Sequence, residues 1–207
     1  MALIPKYHTA VAMFPVDPAD VALVNSGSSD ATYGIYAGQV VGLTSTGYIK
    51  KATASNASPT ILPLGLAGDS LAASAGHNAY QDSLVVNPGG IKKSTQNRVS
   101  DYFNETLGSG LLTVYITGGE FYTDMFLNTD TFTVGAKVYA NPVAAYTTAN
   151  AGLITCSTTS NASQVGVLTS GKNGYPSGVP GAVNASDYSM SLNSYNGTGF
   201  ISFIMQL

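Results

Sequence analysis

The sequence predicts an all-β protein assembled from small, internally duplicated units, and three observations point there. Leu112, Val114 and Ile116 alternate with Thr113, Tyr115 and Thr117, the period of two that marks a strand with one buried face. The twelve residues from Gly47 to Ser58 match those from Gly152 to Ser163 at about seven positions. Short apolar runs are punctuated throughout by 23 glycines and 9 prolines, which suits strands and turns better than long helices.

Taken in order, residues 1–32 carry Pro5, Pro15 and Pro18, a spacing that opposes a long helix and predicts an extended N-terminal arm. Within it, Thr9 to Phe14 suits a short strand. Residues 33–207 are then the β body, with two related units at about 37–68 and 134–169. In the first unit, Gly38-Gln39-Val40-Val41 leads to the turn Thr44-Ser45-Thr46-Gly47, whose glycine supplies the positive φ a hairpin needs. Leu64-Gly65-Leu66 follows. The second unit repeats the order with Gly135-Ala136-Lys137-Val138, then Gly152, then Val165-Gly166-Val167. Gly38, Gly47, Gly65, Gly135, Gly152 and Gly166 are therefore the turn glycines of the repeated unit. Each copy spans only about 35 residues, too few for a core of its own, so the copies must pack on each other or on the segments around them.

Those segments also read as β. Gly118-Gly119 turns the chain into Glu120 to Phe126, and Tyr188, Met190 and Leu192 alternate with serines before the turn signal Asn196-Gly197. Phe200 to Leu207 is apolar enough to need cover on both faces, as a central strand or at an interface. Short helical turns are expected at Asp101–Leu107 and Ala72–Leu84. Residues 171–186, rich in glycine and proline, read as a long irregular loop given to inter-subunit contact.

Composition narrows the function. Charged residues make up 9% of the chain, against roughly 25% in an ordinary soluble domain. Ser, Thr and Asn take their place, about 57 residues together. Such a surface loses little when neighbours cover it, because uncharged polar groups are far cheaper to desolvate than ions. Thirteen tyrosines without a tryptophan suit protein interfaces. A net charge of -3, with Lys50-Lys51 and Lys92-Lys93 read as isolated, solvated pairs, speaks against nucleic acid. The single Cys156 allows no intrachain disulfide and reads as a packing residue. No leader-like or membrane-length apolar run occurs, so synthesis in a reducing cytoplasm is expected, with the Asn56, Asn161 and Asn184 triplets unmodified.

Catalytic patterns are sparse. The histidines are His8 and His77, and Asp69, Ser70 and His77 lack the G-x-S-x-G elbow of a hydrolase. Asp124, Asn128 and Asp130 miss the spacing of a calcium loop, and Glu105 with Glu120 make a carboxylate pair only if the fold joins them. The sequence therefore predicts a non-enzyme without catalytic residues, cofactor or metal. Partner contact falls to the arm, through Leu3, Ile4, Val11, Met13 and Phe14, laid as an extended segment on a neighbour's strand edge.

The pattern Phe132-Thr133-Val134-Gly135-Ala136-Lys137-Val138-Tyr139, then Gly152-Leu153-Ile154-Thr155, then Gln164-Val165-Gly166-Val167-Leu168, resembles tailed-bacteriophage head decoration (cement) proteins. Ala37 to Gly42 and Pro63 to Gly68 look like the same unit, and Asn97 to Thr106 leading to Gly118-Gly119-Glu120-Phe121 is similar to phage virion structural proteins generally. About half of the chain carries the resemblance. It implies small β-barrel or β-tulip bodies on the capsid exterior, bridging subunits of the major capsid protein and holding the shell by many modest contacts. The partners implied are that capsid protein and further copies of the chain, in a homo-oligomer such as a trimer, with no direct nucleic-acid or membrane contact. A tail or head-tail connector component and a receptor- or carbohydrate-binding β module stay open beside it.

Overall fold

The computed structural model describes residues 3–7, 10–25, 30–71, 110–174 and 200–207. Their elements are β1 (Leu3–Tyr7), β2 (Ala10–Pro15), α1 (Pro18–Asn25), α2 (Asp30–Tyr33), β3 (Val40–Leu43), β4 (Ile49–Lys51), β5 (Gly65–Ala67), β6 (Leu111–Thr117), β7 (Glu120–Thr123), β8 (Lys137–Ala140), β9 (Ile154–Thr155), β10 (Gln164–Gly174) and β11 (Phe200–Met205). They form two antiparallel sheets, one in the order β2-β6-β5-β3-β4 and one in the order β1-β7-β11-β10-β8-β9. The mostly-β character matches the expectation. No helix among the described residues is long and apolar enough to cross a membrane.

The N-terminal segment differs from the expected extended arm. β1 pairs with β7 at one edge of its sheet, and β2 pairs with β6 at an edge of the other. The prolines explain why this is allowed. Pro5 sits in an edge strand, where a missing amide costs least, and Pro15 closes β2. Pro18 occupies the first turn of α1, where proline is at home, and Asp17 caps that helix by accepting the Ala19 amide at 3.0 Å.

The two sheets share one plan. With β2–β6 laid on β7–β11, the orders 2-6-5-3-4 and 7-11-10-8-9 coincide. The registers coincide as well. Val40 faces Leu66 and Val41 faces Gly65, as Lys137 faces Val167 and Val138 faces Gly166. Gly42 with Lys50 and Leu43 with Ile49 match Tyr139 with Thr155 and Ala140 with Ile154. Leu66 with Tyr115 matches Val167 with Ile204. Single parallel bridges, Val16–Ile49 and Phe126–Ile154, connect the chain just after the first strand of each set to its third. The like-ordered regions are thus wider than the sequence repeat, since they include β2, β6, β7 and β11.

One glycine pair shows why the motif recurs. A Cβ at Gly65 would overlap the Tyr115 carbonyl oxygen, and a Cβ at Gly166 would overlap that of Ile204. In both sheets the last strand passes too close for any side chain, and only glycine allows the approach.

The core has two parts. One lies within the first unit (β2–β6) and holds Val16, Val24, Ile35, Val41, Ile49, Ala67, Leu71, Leu112 and Val114. The other fills the second unit (β7–β11) around Phe121, Phe126, Val138, Ile154, Leu168, Ile201 and Phe203, and extends to Val40, Ala52 and Leu66 of the first. Tyr115 lies 5.1 Å from Phe121 across this junction, ring centroid to ring centroid. β11 is central, between β10 and β7, as its apolar sequence requires. The expected loop at 171–186 is strand as far as Gly174, where β10 still pairs with Phe200. Residues 72–109 and 175–199, including the turns expected at Ala72–Leu84, Asp101–Leu107 and Asn196-Gly197, lie outside the described residues.

Candidate functional site

The seam between the units is built largely from backbone. The Val40 amide donates to the Gly152 carbonyl at 2.7 Å, Ala54 to Val143 at 2.9 Å and Ser55 to Asn161 at 3.1 Å. The buried Gln39 side chain donates Nε2 to the Ala151 carbonyl at 3.2 Å. Gly152 has φ 71°, and a Cβ there would lie 2.7 Å from the Val40 oxygen, so the close seam needs glycine twice over. At Val40–Gly152 the units meet through non-matching positions, since Val40 corresponds to Lys137 and Gly152 to Gly47.

A charged cluster sits beside the seam. Lys50 Nζ lies 3.0 Å from Asp17 Oδ2 and 3.2 Å from Asp20 Oδ2, and it donates to the Tyr146 hydroxyl at 3.0 Å. The same ammonium stands 4.2 Å over the Tyr146 ring, which meets Tyr33 edge-on. Burial disfavours the Lys50 ammonium, but hydrogen bonds with Tyr146, Asp17 and Asp20 outweigh it and hold the pKa well above the usual lysine value. The bond with Lys50 lowers Asp17, whereas burial raises Asp20 despite the same partner. Lys51 is 2% exposed, donates Nζ to the Thr32 carbonyl at 3.0 Å, and is pushed down to about 8 by burial, which Asp20 only partly opposes.

The two lysines are therefore not the solvated pair the sequence predicts. Strand alternation sends neighbours on β4 to opposite faces, and both faces are covered. The three protons of Lys50 meet three acceptors, which leaves none for a phosphate. The cluster clasps α1 to β4 and to the loop before β9. Asp17-Pro18 and Asp20, a cap and a first-turn acid, were the sequence signal for it.

Other polar candidates do local work at separate places. Asp130 Oδ2 accepts from Thr155 Oγ1 and, at 2.9 Å, from the Cys156 amide, tying the turn after Phe126 to the end of β9. Cys156 packs against the core, and burial, reinforced by Asp130, pushes its thiol up to about 11. A thiol so shifted is a poor nucleophile at neutral pH. Ser70 Oγ accepts the Ala37 amide at 3.0 Å beside the Ile35–Leu71 bridge. Glu120 is buried on β7 and accepts from Thr169 Oγ1 at 2.9 Å. Among the described residues no group of three or more His, Cys, Asp or Glu side chains is placed to hold a metal ion. His8, His77, Lys92, Lys93 and Glu105 lie outside the described residues.

The five expected contact residues separate. Leu3 packs on the core that spans both units and Phe14 on that of the first unit. Ile4 is paired opposite Tyr122. Val11 and Met13 point outward, 45% and 57% exposed, and Leu111 is exposed beside them, opposite Pro15. The glycines hold their places in the plan: Gly38 and Gly135 precede β3 and β8 in the turns that lead into them, with φ of 93° and 84°, and Gly47 turns between β3 and β4 with φ 83°. Compared with protein-family models, with curated proteins and with solved structures, the chain matches none.

Proposed function

We propose that this protein is a structural component of a larger assembly, specifically a decoration (cement) protein on the outer surface of a tailed-phage head, where it bridges major capsid protein subunits. The observation that carries this reading is the pairing of two like-ordered β units in a chain with only 9% charged residues. Repeated units multiply modest contacts by avidity, and a weakly charged surface is cheap to cover. The matched registers support an origin by internal duplication, and the bridges Val16–Ile49 and Phe126–Ile154 support reading each unit as a small barrel.

The test is co-sedimentation of the purified chain with expanded, DNA-free heads assembled from the major capsid protein encoded in the same genome. Decoration predicts saturable binding at a stoichiometry near that of the capsid protein. Saturation at the few copies of a single ring would make the chain a connector. Absence of binding at saturating concentration would remove the capsid reading.

A further inference from the structure

We propose that the open edge of β2 pairs with the same strand of a second copy, giving a two-fold antiparallel β2–β2 contact. The argument starts from the equivalence of β2 and β7. β7 has a strand on each side, β11 and β1. β2 has β6 on one side, and no described strand lies along the other from Ala10 to Phe14. Only beyond its end does Val16 bridge to Ile49. The cover differs accordingly: Glu120 to Thr123 are all buried, whereas β2 alternates half-buried and exposed residues. Among the described residues the first unit has one strand fewer than the second.

Chemistry identifies the occupant. The edge strand of the other sheet that flanks β7, β1, contains Pro5 and Lys6, the two residue types that discourage edge pairing. β2 reads Ala10-Val11-Ala12-Met13-Phe14 before Pro15, without charge or internal proline. An uncharged edge with Val11 and Met13 exposed is a template for another strand, and it is complementary to itself. Antiparallel pairing about Ala12 sets Ala12 against Ala12 of the second copy and Val11 against its Met13. The apolar face then continues from Leu111 of one copy to Leu111 of the other. A two-fold contact uses the same patch on both copies and closes, so it yields a dimer and not a fibre. Pro15 limits the paired run.

This inference is independent of the capsid reading, since the dimer forms in solution with no shell present. Sedimentation velocity of the full chain over a range of concentrations is expected to show a monomer–dimer equilibrium. Val11→Lys and Met13→Lys should each weaken the dimer at least about tenfold while circular dichroism and thermal unfolding stay as in the parent. In a Cys156→Ser background, Ala12→Cys should give a disulfide-linked dimer on mild oxidation. Facing Cα atoms in an antiparallel pair lie about 4.5–5.5 Å apart, within disulfide range. A monomer at every concentration would overturn the proposal and leave the edge to an extended segment of an unlike protein. So would a dimer indifferent to both lysines, together with no cross-link from the Ala12→Cys variant.

Discussion

Val40 and Lys137 occupy the same place in two sheets of one plan, yet Val40 is fully buried and Lys137 is exposed. The contrast continues along the neighbouring strands. Ala52, Thr53 and Ala54 are buried at the seam, while the positions that match them, Ser157, Thr158 and Thr159, are exposed. At the opposite face the contrast reverses: Ala151 and Gly152 are buried, and their counterparts Thr46 and Gly47 are exposed. A contact between non-matching positions of two like-ordered units leaves one copy of each position uncovered, and here the uncovered copies are polar or glycine. The outer ends of repeat proteins are capped in the same way. The backbone plan is thus common to both units, whereas the side chains follow whatever covers them.

Exchanging the seam residues tests this most severely. Val40→Lys puts an unpaired charge at the seam and should cost about 3–5 kcal/mol in denaturant unfolding. Lys137→Val, at the matching exposed place, should change stability by no more than about 0.5 kcal/mol. Equal effects would mean that the two faces are not differently covered.

The next contrast is between Lys51 and its counterpart Cys156. An unfolded lysine titrates near 10.5 and folded Lys51 at about 8, so between those values the unfolded chain holds more protons and stability rises with pH. The buried ammonium costs most below about pH 8, and the cost fades as the pH climbs to about 10.5. Relative to Lys51→Met, the parent should gain about 3 kcal/mol over that window. Cys156 has the opposite sign: an unfolded thiol titrates near 9.0 and the folded one at about 11, so between those values the folded chain holds more protons. The parent should therefore lose stability relative to Cys156→Ser as the pH climbs through that window. Parallel stability curves for the parent and Lys51→Met would place the lysine in water.

The smallest contrast compares two turn glycines with similar φ. Gly47 has open space where a Cβ would go, and Gly152 has the Val40 oxygen at 2.7 Å. Gly47→Ala should cost about 1 kcal/mol from backbone strain alone. Gly152→Ala should cost about 2 kcal/mol more, because the seam must also give way. Thermal unfolding of both variants measures the gap, and an identical loss would show that the seam is loose at that point.

Local chemistry made much of the fold legible before any coordinates. The alternation at Leu112 to Thr117 is β6, the apolar run from Phe200 is β11, and the glycine-led repeats supply β3–β4–β5 and β8–β9–β10. Each rests on a short-range rule, strand periodicity or the positive φ of a turn glycine, that acts within a few residues. Proline misled at the N-terminus, since its position within a strand or helix decides whether it breaks the element, and that position is set by pairing partners far away in the chain.

Residue order was enough to establish the β character and the small charge content. Long-range packing was needed to settle that β1 and β2 join different sheets, that Lys50 and Lys51 are enclosed, and that Val11 and Met13 face outward while Leu3 and Phe14 face in. Periodicity places side chains on alternate faces of a strand, but which face is covered depends on pairing across long stretches of sequence. Ala10 finds Thr117 and Leu3 finds Thr123. Burial is a property of those distant contacts, so the pattern could name the faces and not say which one meets water.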